Sequence, residues 1–182
     1  MAQTDDSTQI FRISPLIRLT LQSLLIALTV PLPFLAEAVQ AEVPASWLWI
    51  GIVLGSIGLY GVLSERVILD TTGIRVAYPK WVLFRKGWSL PWSDVAELKL
   101  RTTGQGGLVY YFVTQARDRA YLLPMRVVGF AKLVKRVEQE TEIDTSDVRP
   151  LAQPWMYLIL LGFTGLMFLV DAWAIFVARQ PI

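Results

Sequence analysis

The chain contains no cysteine and no histidine. Without cysteine, it cannot form disulfides, iron–sulfur clusters or thiolate zinc sites. Without histidine, it lacks the side chain best suited to proton transfer near neutral pH, and with it the Ser–His and Cys–His pairs of nucleophilic catalysis. These two absences disfavour most metal centres and most enzyme classes, so we expect no cofactor, no metal ion and no catalytic residue.

The chain does have three long stretches without a charged residue. They cover residues 19–36, 43–64 and 150–170 and are 18, 22 and 21 residues long. A helix needs about 20 apolar residues to cross a bilayer. Hydrophobic residues make up 54% of the chain, and its mean hydropathy is +0.47. Length and composition together predict an integral membrane protein with three spans.

The first of these stretches has an alternative interpretation. Pro31 and Pro33 would interrupt the hydrogen-bond pattern of a helix. Arg12 and Arg18 precede a short apolar core, as in a secretory signal peptide, and residues 36–38 would then be the cleavage site. The length of the stretch favours a retained span, and cleavage is the alternative.

The distribution of basic residues predicts the orientation in the membrane. Lys and Arg are enriched in cytoplasmic loops. Residues 65–149 carry 14 of the 17 Lys and Arg residues, whereas residues 37–46 contain two acidic residues and no basic one. We therefore predict a cytoplasmic tail over 1–18, a transmembrane hairpin over 19–64, a cytoplasmic domain over 65–149, a third transmembrane helix over 150–177 and a tail on the far side over 178–182.

The polar domain shows the pattern of short antiparallel strands followed by one helix. Alternating runs separated by turn residues predict strands at 66–69, 74–78, 81–90, 95–101, 108–115 and 120–123. After Pro124 the period becomes helical, with Phe130, Leu133, Val134 and Val137 on one face. The expected fold is thus an α+β membrane protein in which an inserted antiparallel β-barrel, like that of pleckstrin-homology (PH) domains, is closed by one C-terminal helix.

Two short motifs of this domain resemble bacterial PH-domain membrane proteins. They are Ile68-Leu69-Asp70-Thr71-Thr72-Gly73-Ile74 and Trp88-Ser89-Leu90-Pro91-Trp92-Ser93-Asp94-Val95, and the resemblance covers residues 65–142. The family implies a fold and a binding role, and it has no catalytic residues to transfer. The start of the third span, at residues 153–157, is similar to membrane proteins of cyanobacteria. That similarity makes the thylakoid membrane, besides the plasma membrane, and the assembly of a photosynthetic complex candidate assignments.

The most concentrated basic and aromatic segment of the chain is a candidate contact site. It contains Lys80, Trp81, Arg85, Lys86 and Trp88. In such a segment Trp rings can lie in the membrane interface while the cations meet anionic headgroups, so we predict contact with lipid or a protein partner. The alternative is that the two Trp rings belong to the core. A net charge of only +2, together with the membrane spans, argues against nucleic-acid binding.

Glycines in the second and third spans are candidates for close helix packing. They are Gly51, Gly55, Gly58, Gly162 and Gly165. Small residues let helix backbones approach one another in lipid. Packing among the three spans of this chain is the favoured interpretation, and homo-oligomerisation or docking against a larger membrane complex is the alternative.

These observations lead us to expect a non-enzymatic membrane protein. Its cytoplasmic PH-like domain would bind a protein partner or a lipid surface, in the assembly, stability or regulation of a membrane complex. One alternative is a permanent accessory subunit of a larger complex, whose spans form the interface. Another is a membrane-bound enzyme acting on a lipid, with its centre around Asp94, Glu97, Lys99 or Tyr110.

Overall fold

The computed structural model describes residues 8–102, 104, 108–149 and 154–178. These residues form two compact units. One unit combines residues 8–14 with residues 64–149, and the other combines residues 15–63 with residues 154–178. The N-terminal segment therefore belongs to the same unit as the polar middle of the chain, although an entire helical hairpin separates them in the sequence.

The helices and strands follow one another in a simple order. They are β1 (Gln9–Arg12), α1 (Pro15–Thr29), α2 (Pro31–Ala38), α3 (Ala45–Val62), β2 (Arg66–Leu69), β3 (Gly73–Ala77), β4 (Trp88–Pro91), β5 (Val95–Thr102), β6 (Leu108–Thr114), β7 (Ala120–Leu122), α4 (Phe130–Thr141) and α5 (Pro154–Ala178). A single 3-10 turn, Trp92–Asp94, joins β4 to β5.

Three helical segments have the length and composition to cross a membrane. They are Pro15–Ala38, which combines α1 and α2, then Ala45–Val62 and Trp155–Val177, with 24, 18 and 23 residues. Pro31 stands at the first position of α2, where its missing N–H has no helical partner to lose. Three membrane-length helices were predicted and are confirmed, and the third extends past Val170 to Ala178. Residues 150–153, where that span was expected to begin, lie outside the described residues.

The helical unit packs through small residues of α1 and α5. Thr20 and Ala27 of α1 are buried, as is Thr164 of α5. The Thr20 hydroxyl donates to the carbonyl oxygen of Tyr157 at 3.4 Å. Gln22 donates through Nε2 to the carbonyl oxygen of Ser56 in α3 at 3.4 Å. Helix α1 therefore contacts both α3 and α5.

The glycines predicted to pack these helices together have no close neighbour among the described residues. A Cβ atom added at any of them would meet no described atom within 4 Å; they are Gly51, Gly55, Gly58, Gly162 and Gly165. The contacts run instead along the face of α1 that carries Thr20 and Ala27. The five glycines consequently lie on open faces of α3 and α5.

The β-strands form two antiparallel sheets. The first has the order β1-β2-β3-β4 and the second β5-β6-β7. The expected closed barrel is thus wrong: β4 ends at Pro91, which lacks an N–H, and the turn Trp92–Asp94 then carries the chain into the other sheet. The strand predicted over 81–90 is also mostly a loop, because only its last residues, from Trp88, pair with β3.

Strand β1 was not predicted from the sequence, which placed these residues in a tail. It pairs along its whole length with β2, so that Phe11 lies opposite Val67 and Arg12 opposite Arg66. Beyond that pairing, Val128 donates its N–H to the carbonyl oxygen of Arg12 at 2.9 Å. Phe11 and Val67 are both buried in the core. The strand before the first membrane-length helix is therefore an integral part of the β-sheet domain.

Helix α4 confirms the predicted amphipathic helix. Phe130, Leu133 and Val137 are buried, and they join the same core cluster as β-strand residues from both sheets. On the outer face, Arg136 and Glu140 form an ion pair of 2.8 Å at i,i+4 spacing. The helix thereby covers the apolar residues that the strands turn inward.

The two motifs that suggested a PH-like family meet in one turn. The Oδ1 atom of Asp70 accepts hydrogen bonds from the Thr72 hydroxyl at 2.5 Å and from the backbone N–H groups of Thr72 and Gly73 at 2.8 and 3.0 Å. These bonds, led by the Thr72 hydroxyl, lower the pKa of Asp70. Trp92 then donates its indole N–H to the carbonyl oxygen of Asp70 at 2.9 Å. Both motifs thus have a structural role in linking β2, β3 and β4.

Replacing Gly73 by Ala should destabilise the β-sheet domain. Its new Cβ would lie 2.3 Å from the carbonyl oxygen of Leu90 and 2.8 Å from Cα of Pro91, so backbone must move. We expect a loss of about 1–3 kcal/mol, the range for overpacked cores, measured by thermal unfolding of the full chain in detergent. Gly104→Ala is the matched control because its Cβ would meet nothing within 4 Å. Equal melting temperatures for the two variants would contradict the close β3–β4 approach.

Replacing Phe11 by Ala tests whether β1 belongs to the folded domain. The ring is 8% exposed in the core, so we expect a loss of roughly 3–5 kcal/mol in the free energy of unfolding. Ile10→Ala is the control on the same strand, since that side chain is 55% exposed and should change stability by less than about 0.5 kcal/mol. If Phe11→Ala were as stable as the control, β1 would not contribute to the core.

Candidate functional site

The segment between β3 and β4 exposes apolar side chains. Within it, Trp81 is 48%, Leu83 87% and Phe84 63% exposed. Val82 is buried and donates its backbone N–H to the carbonyl oxygen of Pro79 at 3.0 Å. We call residues 79–87 the 79–87 loop. A single buried Val82 anchors this loop, while its neighbours on either side point outward.

Basic residues flank the exposed apolar group. Lys80 precedes it, Arg85 and Lys86 follow it, and all three are exposed. The loop therefore presents an apolar tip between cations. This arrangement suits a boundary between water and lipid, since apolar side chains enter the boundary layer and cations remain with anionic headgroups.

Trp88 lies apart from the other predicted site residues. Its ring is half-buried, stacks on Tyr121 with 4.9 Å between ring centroids and meets the edge of Phe112 at 6.4 Å. Trp88 therefore packs on the core, as the alternative interpretation expected for it. The chain reaches it through Gly87, where a Cβ would lie 2.2 Å from the carbonyl oxygen of Val76.

The base of the loop is held by a hydrogen bond. Tyr78, the residue just before the loop, donates its hydroxyl to Oε2 of Glu65 at 2.5 Å. Burial, together with this bond and the charge of Glu65, raises the pKa of Tyr78 to about 12, while the nearby Arg85 acts in the opposite direction. The phenol therefore stays protonated and keeps its bond to Glu65 through the neutral pH range.

Two exposed residues of the loop were missed from the sequence. Leu83 and Phe84 were assigned to a strand, because the run Trp81-Val82-Leu83-Phe84 resembles a buried one. The available signal was the position of the run between Pro79-Lys80 and Arg85-Lys86, since Pro and clustered cations are unfavourable inside a central strand.

The residues proposed for an enzymatic centre do not converge. Asp94 lies in the 3-10 turn, and Glu97 and Lys99 are exposed on β5. Tyr110 is buried and donates its hydroxyl to the carbonyl oxygen of Asp147 at 2.6 Å. In the part of the chain that the structure describes, no group of three acidic residues is arranged to hold a metal ion.

A shallow cleft of about 400 Å³ lies on the outward face of the three-stranded sheet. Its floor consists of Val109, Tyr111, Val113 and Ala120, and Lys99, Arg101 and Thr102 form its side. The register places Lys99 opposite Tyr111 and Arg101 opposite Val109. The cleft is apolar with a cationic edge, and it lies on a different sheet from the 79–87 loop. Of the glycine-rich residues 104–107 between β5 and β6, only Gly104 is described.

Comparison with known proteins identifies one relative in a cyanobacterium. No protein-family model and no solved structure matches the chain. The chain is 54% identical over 169 residues to the uncharacterised protein slr0269 of Synechocystis. The aligned region covers 91% of this chain and 85% of the relative. At this identity and coverage, the chain belongs to the same family as the cyanobacterial protein slr0269.

Proposed function

We propose that this chain is a non-enzymatic integral membrane protein whose PH-like domain binds the surface of an anionic leaflet through the 79–87 loop. The observation that carries the proposal is the exposed group Trp81, Leu83 and Phe84 between Lys80 and Arg85. Through this contact the domain would serve the assembly, stability or regulation of a membrane complex. The cyanobacterial relative makes a thylakoid or plasma membrane the natural setting.

The magnitude of the loop's contact supports a membrane surface as its target. Burying a large apolar side chain contributes about 1.5–3 kcal/mol, and three are exposed here. Each cation near an anionic leaflet adds about 1 kcal/mol. For a free protein these contributions are offset by the roughly 4–15 kcal/mol that association costs, whereas a domain tethered by membrane spans has a high effective concentration at the surface. Weak contacts are then sufficient to hold it there.

The pairing of β1 with β2 supports the topology of the hairpin. Residues 12 and 66 are neighbours in one sheet, so the chain leaves the domain and returns to it across α1, α2 and α3. Two crossings fit this return, with residues 39–44 on the opposite side of the membrane. Because basic residues are concentrated in the domain, we assign the domain to the cytoplasmic side.

The same strand supports retention of the first span. Cleavage near residues 36–38 would remove β1, and with it Phe11 from the core and a full edge of the four-stranded sheet. A signal peptide has no such role in the folded domain. We therefore propose that residues 15–38 stay in the mature protein as a membrane span.

The order of elements supports a PH-like fold. Four antiparallel strands, then three, then one amphipathic helix follow one another, and the helix shares its core with both sheets. In a PH-like domain, as in this one, the loops between strands are the usual positions for binding residues. The 79–87 loop is such a connection, between β3 and β4.

The open glycine faces favour a second candidate, a permanent accessory subunit of a larger membrane complex. The Gly51, Gly55 and Gly58 face of α3 has no described neighbour, and glycines of this spacing let a partner helix approach closely. Under this alternative, a tagged chain would co-migrate with one complex on a native gel after mild detergent extraction. Gly55→Leu would abolish the co-migration, and Leu54→Ala would preserve it.

Single introduced cysteines can test the topology, because the natural chain has none. Glu42→Cys lies in the hairpin connection and Ala116→Cys in an exposed turn of the domain. A membrane-impermeant maleimide should label Glu42→Cys only in right-side-out vesicles and Ala116→Cys only in inside-out vesicles. The intact mass of the mature protein should include residues 1–38. Labelling of both positions from the same side would refute the hairpin.

A fluorescent probe on the loop tests contact with the membrane. Phe84→Cys, labelled with an environment-sensitive dye in proteoliposomes that contain phosphatidylglycerol, should emit at shorter wavelength and be quenched by lipids that carry a shallow nitroxide. Ala116→Cys is the control, because it lies in an exposed turn on the other sheet. Replacing Lys80, Arg85 and Lys86 by Gln should weaken the quenching at position 84. Identical, water-like emission from both labelled positions would rule out the loop contact.

A further inference from the structure

Three arginines share the outward face of the four-stranded sheet. Arg12 lies directly opposite Arg66 in the β1–β2 register, and Arg66 lies opposite Ala77, two residues from Arg75 on the same face of β3. All three arginine residues are exposed. Directly opposite residues have Cβ atoms about 4.5–5.5 Å apart, and diagonal ones about 7–8 Å. Three guanidinium groups from three neighbouring strands therefore meet in one area, which we call the arginine patch.

The positive charge of the arginine patch is not neutralised by the described part of the domain. The ion pairs there join Arg119 to Asp118 and Arg136 to Glu140, and none reaches the patch. Asp70 is close enough for Arg75 to contribute to lowering its pKa, yet its Oδ1 is occupied by Thr72 and Gly73. Like charges placed directly opposite in a sheet are unfavourable for folding. The arrangement brings no stability to the domain, which points to a role in binding an anion.

Two arginines of the patch lie close in sequence to the ends of two membrane-length helices. Arg12 is three residues before the start of α1, and Arg66 is four residues after the end of α3. Because a residue spans at most about 3.6 Å, the two Cα atoms lie within roughly 11 and 14 Å of those helix ends. The headgroup layer outside the hydrocarbon core is about 5–8 Å thick on each side. This step rests on the proposed function, which places these helices in the membrane. The side chains of Arg12 and Arg66 are then close enough to reach the headgroup layer, and Arg75 lies diagonally next to Arg66 on the same face.

We propose that Arg12, Arg66 and Arg75 bind the phosphate or sulfonate group of an anionic membrane lipid. Guanidinium groups donate paired N–H bonds to such oxygens and lose less hydration than an ammonium group does. A headgroup held between three strands joins β1, β2 and β3 from outside, as Phe11 and Val67 join the first two from inside. The bound lipid thereby stabilises the strand pairing that connects the domain to its helical hairpin. This site is separate from the 79–87 loop, whose apolar side chains contact the surface without selecting a headgroup.

Native mass spectrometry of the full chain in detergent tests the site. The protein is offered equal amounts of phosphatidylglycerol and phosphatidylcholine, and the bound lipids are counted. The test variant carries Arg12→Gln, Arg66→Gln and Arg75→Gln. The matched control carries Lys99→Gln, Arg101→Gln and Lys132→Gln, which removes three exposed cations elsewhere in the domain. We expect the preference for phosphatidylglycerol to fall at least about tenfold in the test variant, since each cation near an anionic surface is worth roughly a factor of five, and to change less than about twofold in the control.

Thermal unfolding gives a second readout that does not depend on lipid counting. Phosphatidylglycerol should raise the melting temperature of the natural chain, because a ligand that binds only the folded state stabilises it. It should have no such effect on the test variant. In neutral detergent alone the test variant should melt at the same temperature or higher, because its like charges are gone. A variant with three Lys in place of the arginines should show an intermediate preference, as Lys lacks the paired geometry.

The outcomes separate this inference from the proposed function. Equal phosphatidylglycerol preference in the natural chain and the test variant, or equal loss in test variant and control, overturns the arginine site. A thermal shift caused by millimolar inorganic phosphate with no lipid adducts shows that a free anion is the ligand, which also overturns the lipid assignment. Water-like emission from the dye at position 84, or labelling of both cysteines from the same side, would contradict the proposed function instead. The lipid count in detergent would still be an independent result.

Discussion

The fold depends on one strand pairing across a large gap in the sequence. Gln9–Arg12 pairs with Arg66–Leu69, and everything between these strands is helical hairpin and its connections. Closing a long loop usually costs conformational entropy. Here the hairpin is itself structured, with α1 and α2 packed against α3, so its two ends are already near one another. The strands that precede and follow the hairpin in the sequence therefore meet in one sheet.

The turn between β2 and β3 explains the structural role of the two sequence motifs. The carboxylate of Asp70 is occupied by Thr72 and Gly73, and the indole of Trp92 is occupied by the carbonyl oxygen of Asp70. Groups with their hydrogen bonds satisfied inside a turn have little left to offer a ligand. The motifs keep β2, β3 and β4 aligned, and binding has to be sought on outward surfaces, where the 79–87 loop and the arginine patch lie.

The sequence predicted those parts of the fold whose signal is long or strongly periodic. Three apolar stretches and the helix around Leu133 belong to this class, because membrane length and a 3.6-residue period leave few alternatives. Short elements could not be predicted from the sequence. Strand β1 has four residues, and only its partner, more than 50 residues away, makes it a strand. The barrel does not close because the chain passes into the second sheet at the turn that begins with Trp92. That arrangement belongs to the tertiary structure and has no local signal in the sequence.

The candidate site likewise has a part that the sequence predicted and a part that it did not. Composition alone identified the cations and Trp81, but exposure of Leu83 and Phe84 depends on whether their run is a strand or a loop. Trp88 lies in the same basic and aromatic segment of the sequence as Trp81, yet its ring packs inward on Tyr121. The arginine patch was invisible to the sequence, since Arg12, Arg66 and Arg75 become neighbours only through the register of three strands. A one-residue slip in either pairing would scatter them to different faces.

Tethering determines how these surfaces can work. The 79–87 loop and the arginine patch each consist of a few exposed side chains. Under the proposed function, the membrane spans give both surfaces a high effective concentration at the lipid headgroups, and Arg12 and Arg66 lie within four residues of membrane-length helices. Under the two proposals, the loop would contact the bilayer surface and the arginine patch would select the headgroup. Because β1 and β2 also flank the helical hairpin in the sequence, a lipid bound at the proposed arginine site would stabilise the β1–β2 pairing on which the fold depends.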